Sequence, residues 1–229
     1  MNTKKKLAYL HYLKKFVTHA RQEKILHLLP QRTRYVAAVL EDVSQSHNAA
    51  AILRSCDALG IQNVYAIEHN HQLELKPKIS QGAAKWLTLS RFCNQQTNNP
   101  LVEAVKALKA QRYTIVGTSP HATKTLKEIS LDTKVALMFG TEDEGLSQEA
   151  VKACDDLVSV PQYGFVESLN VSVCAALCLY DLTTRLRASS IQWHLSQDEK
   201  EALEIDWLEN SVENPGALKQ RFLDEYRDE

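Results

Sequence analysis

Residues Val160 to Leu182 read VPQYGFVESLNVSVCAALCLYDL. The stretch begins as a strand would and is broken by Pro161 and Gly164. It ends as an apolar helix, with Ala175, Ala176, Leu177 and Leu179. Between the two lies the polar word Ser168-Leu169-Asn170. One explanation is capping: Ser168 accepts a backbone N–H of the first turn, or Asn170 does so if the helix begins late. The other is that the exposed N–H donors of the helix start face a ligand. The surrounding chain has to arbitrate.

Working outward, the hydrophobic pattern alternates between strand and helix. YVAAVLEDV reads as a strand, and NAAAILRSCDALG as a helix that Gly60 would end. NVYAIEH and WLTLSRF are further strands. NPLVEAVKALKAQ is a helix with Pro100 suited to its first turn. TIVGTS and KVALMFG are strands, SQEAVKAC a short helix and LVSVP a last strand, before a long helix from about residue 168 to 188. Strands alternating with helices predict an α/β domain with a mostly parallel sheet. Three segments are expected: a basic helical arm over 1–31, with one amphipathic helix near 4–28, the α/β domain over 32–188, and a helical extension over 189–229.

Composition agrees with a globular protein: 229 residues, 44% hydrophobic and 24% charged. No run approaches the roughly 20 apolar residues of a membrane span. MNTKKKLAYLHYLKKF lacks the apolar core of a signal peptide. A cytoplasmic protein without membrane attachment is expected. The five cysteines include no CxxC pair, so neither a disulfide framework nor a zinc site is suggested. His69-Asn70-His71 offers only two ligands, and no metal is expected. The net charge of −1 conceals a split. Residues 1–34 carry nine Lys or Arg against one acid, and residues 196–229 eleven acids against four bases. A basic arm suggests a polyanionic partner. Alternatively, the two ends pair with each other.

Ligands of such sheets bind at strand ends. Three glycine-containing loops follow the later strands: Gly117-Thr118-Ser119-Pro120, Gly140-Thr141-Glu142-Asp143-Glu144-Gly145 and Pro161-Gln162-Tyr163-Gly164. Glycine there lets backbone approach a ligand closely. The first strand, where a dinucleotide fold would keep GxGxxG, is followed instead by Glu41-Asp42-Val43-Ser44, and no GxxxxGK[ST] exists. The ligand site sits at the opposite end of the chain from the common nucleotide folds.

At this point the chain resembles the SPOUT class of RNA methyltransferases, specifically the TrmH (SpoU) family of ribose 2′-O-methyltransferases. Three motifs carry the resemblance in family order: Asn48 to Gly60 (NAAAILRSCDALG), Leu137 to Ser147 (LMFGTEDEGLS), and Val160-Pro161 with Ser168-Leu169-Asn170-Val171-Ser172-Val173. It covers about residues 32–187. It implies S-adenosylmethionine (SAM) as methyl donor, a sheet whose C-terminal part forms a deep trefoil knot, and a homodimer packed through the knots with each site near the interface. Thr118, Gly140, Val160 and Leu169 would line the SAM pocket, chiefly through backbone groups. Arg54 matches the catalytic arginine; Asn48, Asn170, Glu142 and Ser168 would orient the ribose, the arginine or one another. Arg32 matches an RNA-contacting basic position.

The family proposal makes the arginine a general base, yet a guanidinium is effectively always protonated. A clamp on the adjacent phosphate that stabilises the developing alkoxide is physically easier. Two departures bear on the substrate. Asp143 and Glu144 place acids where tRNA-modifying relatives often carry basic or aromatic residues, and Glu167 replaces an often neutral glutamine. Added negative charge weakens binding to phosphate. The expected activity is methylation of tRNA, with the D-loop guanosine at position 18 as target; rRNA is the alternative substrate. A catalytically silent RNA-binding protein on the same fold would not need Asn48, Arg54, Glu142, Ser168 and Asn170 together. A small-molecule α/β enzyme is disfavoured by the basic arm and the missing glycine fingerprint.

Overall fold

Val36 to Glu41 are buried without interruption, which is what a strand covered on both faces requires. The structure, a computed structural model, describes residues 3–74 and 82–226; the first two residues of the expected arm and the last three of the extension lie outside it. The chain divides into two compact units, Thr33–Trp193 and a second made of Met1–Arg32 with His194–Glu229.

The larger unit is built on seven strands: β1 (Thr33–Glu41), β2 (Ile61–Glu68), β3 (Thr88–Cys93), β4 (Tyr113–Thr118), β5 (Lys124–Thr125), β6 (Lys134–Phe139) and β7 (Asp156–Ser159). They form one sheet in the order β3-β2-β1-β6-β4-β7-β5, with every pairing parallel. Side chains of β1 alternate between its faces. Val36, Ala38 and Leu40 join the core beneath α3 (Ser46–Ala58) and a long helix, Val171–Ala188. Ala37 and Val39 join the opposite core, beneath α4 (Pro100–Ala110) and α5 (Gln148–Ala153). The long helix is α6; it starts at Val171 rather than near Ser168 because Asn170 is its N-cap. The order reverses at β1, β6 and β4, so their C-terminal ends and following loops converge.

The smaller unit joins the two oppositely charged ends of the chain. The single helix expected over 4–28 is two, α1 (Thr3–Lys14) and α2 (His19–Leu28). The break is held by Gln22, whose side-chain amide donates to the carbonyls of Lys14 and Val17 at 2.8 and 2.7 Å. This satisfies acceptors that a helix end leaves unpaired. They pack with α7 (Gln197–Glu209) and α8 (Pro215–Glu225) around Tyr9, Leu13, Leu203, Trp207, Leu208 and Phe222. The rings of Tyr9 and Phe222 are 5.0 Å apart, and the Tyr9 hydroxyl donates to Glu209 at 2.8 Å. Burial, then Glu209, push the Tyr9 phenol far above its ordinary range, so it stays a donor. Across the two ends Lys14 pairs with Glu204 at 2.7 Å, whereas Lys219 pairs with Glu209 at 3.2 Å inside the C-terminal segment. The two ends therefore do pair in part, while Lys4, Lys6, Lys15 and Lys24 remain exposed.

Deleting residues 1–28 would strip α1 and α2 from Leu203, Trp207 and Leu208. The expected outcome is nearly complete loss of helix in α7 and α8, because short helices owe their stability to packing. Far-UV circular dichroism checks this: a loss limited to the deleted residues would show that the C-terminal helices fold alone.

Candidate active site

Three segments far apart in sequence meet through side-chain amides. Asn48, in the first turn of α3 and 2% exposed, donates to Glu142 at 2.7 Å and to Gln45 at 3.2 Å. Its carbonyl oxygen accepts from the Asn170 amide at 3.2 Å. The Asn170 oxygen accepts from the backbone N–H groups of Ser172 and Val173 at 2.9 and 3.4 Å and from the Ser172 hydroxyl at 2.6 Å. Asn170 thus caps α6 and holds Asn48 with one side chain. Asn48 uses both of its N–H bonds and one lone pair, so its orientation is set on both sides.

Glu142 is carried by the β6–α5 loop, a tight turn closed on itself: Thr141 N–H donates to Gly145 at 2.9 Å, and Gly145 N–H to Thr141 at 3.2 Å. A Cβ at Gly140 would stand 2.1 Å from the Gly145 carbonyl atoms and 2.3 Å from the Leu146 nitrogen. Gly140 is therefore required by the loop's own backbone. At the far end of the loop, Ser147 caps α5 by accepting from Ala150 N–H at 3.1 Å. Ser147 in turn gives its N–H and its hydroxyl to the buried Glu41 carboxylate, at 2.9 and 2.5 Å.

The next residue, Asp42, has φ +50 and gathers the N–H groups of His69, Asn70 and His71 at 2.8, 3.0 and 3.3 Å. Between the 69–71 loop and the 141–149 segment lies a cleft of about 830 Å³. The Asp143 and Glu144 carboxylates line it with no hydrogen-bonding partner among the described residues. Its walls are acidic, a poor surface for phosphate.

Of the residues assigned to the cofactor, Thr118, Val160 and Leu169 are half-buried at the ends of β4 and β7 and just before α6. The Thr118 hydroxyl is spent on the Met138 carbonyl at 3.1 Å, which leaves its backbone for a ligand. Gly117 is packed against Cys154, Leu146 and Leu157. Burial pushes the Cys154 thiol up to about 12, so this cysteine is packing and not a nucleophile. Sequence reasoning missed Gln162, whose buried side-chain oxygen has no partner among the described residues. A glutamine in a loop carries no sequence signal; the unsatisfied acceptor does, because such groups are costly unless a ligand or water meets them.

Arg54 and Ser168 stand apart from the Glu142–Asn48–Asn170 chain. Both are exposed, and neither engages a side chain among the described residues. Arg54 lies six residues beyond Asn48, on another face of α3, as the helical repeat demands. Arg32 is 3% exposed, with its guanidinium over the Trp207 ring at 5.3 Å from the centroid. It is an interior group of the smaller unit, stacked as arginine stacks on aromatic faces, and not a side chain presented to RNA.

Residues 35–180 match the model of the SpoU rRNA Methylase family. This chain belongs to that family. Among SpoU relatives, a tRNA (guanosine(18)-2′-O)-methyltransferase of Borreliella burgdorferi is 37% identical over 203 residues, 88% of this chain and 90% of that protein. The crystal structure of the A. aeolicus TrmH/SpoU tRNA modifying enzyme superimposes with a TM-score of 0.75 at 26% identity, over 85% of this chain and 98% of that one. The SpoU methyltransferase AviRb from Streptomyces viridochromogenes, solved in complex with AdoMet, shares the fold with a TM-score of 0.60 at 24% identity, over 72% of this chain and 65% of its own.

Proposed function

We propose that this SpoU-family protein transfers the methyl group of SAM to a ribose 2′-hydroxyl of RNA, with guanosine 18 of tRNA as the target. The observation that carries the reading is the hydrogen-bonded chain from Glu142 through Asn48 to Asn170. It ties the three motif segments into one polar site that a packing role alone does not need. The tRNA relative that spans 88% of the chain supports the choice of substrate.

The residues present fit SAM. Backbone groups of Thr118, Gly140, Val160 and Leu169, with the unpartnered oxygen of Gln162, would hold it; an orphaned buried acceptor suits a ligand with an exocyclic amine. When bound, SAM supplies the electrophilic methyl. This chain's own groups have to hold the ribose and take charge from the hydroxyl oxygen as its proton leaves. Asn48 is buried with both N–H bonds committed, so it acts by fixing Asn170, whose second amide N–H is exposed and can donate to the ribose. Arg54, uncommitted among the described residues, can reach the neighbouring phosphate and stabilise the alkoxide, with the proton passing to water.

A trefoil knot in the β6–α6 region is part of the same reading, supported by the fold shared with SpoU enzymes. So is the homodimer. On α6, Val173, Leu177 and Tyr180 are 47%, 46% and 62% exposed at helical spacing, an apolar stripe that a second copy would cover. Leu177→Glu should weaken self-association by about 100-fold or more, read by light scattering at micromolar concentration. A wild-type protein that is monomeric there would remove the dimer.

The function is tested with labelled SAM and a tRNA transcript. Methyl incorporation should map to the 2′-oxygen of guanosine 18 and vanish when that ribose is 2′-deoxy. Labelling of ribosomal RNA fragments in place of tRNA would favour the rRNA alternative. SAM binding with no RNA methylation would leave a silent binder.

A further inference from the structure

We infer that Glu41 is a positioning residue for Glu142, acting through Ser147. This inference rests on the methyl-transfer reading.

Glu41 is the last residue of β1, and its side chain is buried. A buried carboxylate is costly unless strong hydrogen bonds meet it, and both oxygens of this one go to a single residue. One accepts the Ser147 N–H at 2.9 Å and the other the Ser147 hydroxyl at 2.5 Å. The neighbouring strand pairs Leu40 of β1 with Phe139 of β6. The β6–α5 loop is therefore tied to the same strand at both ends, by sheet pairing where it starts and by Glu41 where it finishes. Glu142 stands between these ties and reaches Asn48 at 2.7 Å. The closed turn from Thr141 to Gly145 makes the loop a stiff unit, so a shift at Ser147 is passed to Glu142 and not absorbed on the way. The position where a nucleotide fold would keep its glycine fingerprint thus has a different task, which is to brace the site built from the other end of the chain.

A purely structural reading makes Glu41 a partner of the α5 cap and nothing more. The two readings separate in a double-mutant cycle on methyl transfer to tRNA, with Glu41→Ala, Glu142→Ala and the pair. Misplacing a catalytic group by about 1 Å costs on the order of 100-fold, so Glu41→Ala should lower kcat by about that factor. The Kd for SAM and the KM for tRNA should stay within about threefold. In the Glu142→Ala background the further loss should be less than about threefold. Glu41→Gln should recover most of the rate, because its amide can still accept the Ser147 N–H and donate to the hydroxyl.

Hydrogen exchange of residues 141–147 forms a second arm that needs neither SAM nor RNA. In Glu41→Ala these amides should exchange at least about tenfold faster. Losses that multiply fully in the cycle, an unchanged kcat, or unchanged exchange would each overturn the inference. If the wild type methylates no RNA, the proposed function fails and the exchange arm alone decides the brace. Should Glu41→Ala not fold, Glu41→Asp draws the carboxylate back by one methylene, leaves the Ser147 cap of α5 in place and carries the same comparisons.

Discussion

Replacing Arg54 with alanine is expected to lower methyl transfer by about 100- to 1000-fold, the range for losing one group aimed at a developing oxyanion. The affinity for SAM should not change. Arg54 is exposed on α3, while the cofactor candidates lie at the ends of β4, β6 and β7 and before α6. Its removal leaves no buried group unpaired, since it has no partner among the described residues. Stability should therefore stay within about 0.5 kcal/mol of the wild type. Arg54→Lys separates a clamp from a simple positive charge. Lysine keeps the charge but loses the planar fork that holds a phosphate through two hydrogen bonds, so recovery should be partial. Calorimetry with SAM beside single-turnover methyl incorporation tests both variants. Turnover retained in Arg54→Ala would end the assignment.

Gly140→Ala should be more damaging than its single added methyl suggests. The new Cβ would meet backbone atoms at 2.1 to 2.3 Å, and backbone cannot swing aside as a flexible side chain can. The loop would have to open the Thr141–Gly145 turn, moving Glu142 away from Asn48 and disturbing the backbone proposed to hold SAM. Overpacking of this kind costs about 3 kcal/mol, visible as a lowered unfolding midpoint in urea. Methyl transfer should fall by about 100-fold or more, because the displaced group and the cofactor cup lose their geometry together. Unlike Arg54→Ala, this variant should also bind SAM more weakly. Gly216→Ala, in α8 away from the site, is the control: nothing lies within 4 Å of its added Cβ, so little change is expected. Equal behaviour of the two glycine variants would contradict the account of the loop.

The sheet and its helices were legible in the sequence because hydrophobic periodicity reports burial directly. A run such as Val36 to Glu41 has to be covered on both faces, and it is. The family was legible too, since its motifs are short continuous words. What the sequence left open were contacts without a local signal. The resemblance grouped Asn48, Glu142 and Asn170, but no local pattern near Asn48 gives its bonds to residues 94 and 122 positions away, and nothing near Glu41 announces Ser147, 106 residues on. Capping propensity alone could not choose between Ser168 and Asn170, because both residue types cap well; the seat of α6 against α3 and the sheet makes Val171 its first residue. Charge counting cannot distinguish a lysine offered to phosphate from one paired with a distant glutamate, so the pairing of Lys14 with Glu204 and the burial of Arg32 against Trp207 emerged only from packing. Periodicity determines which face of an element is buried. Only the tertiary structure decides what that face is buried against, because partners are chosen by a topology that joins segments a hundred residues apart.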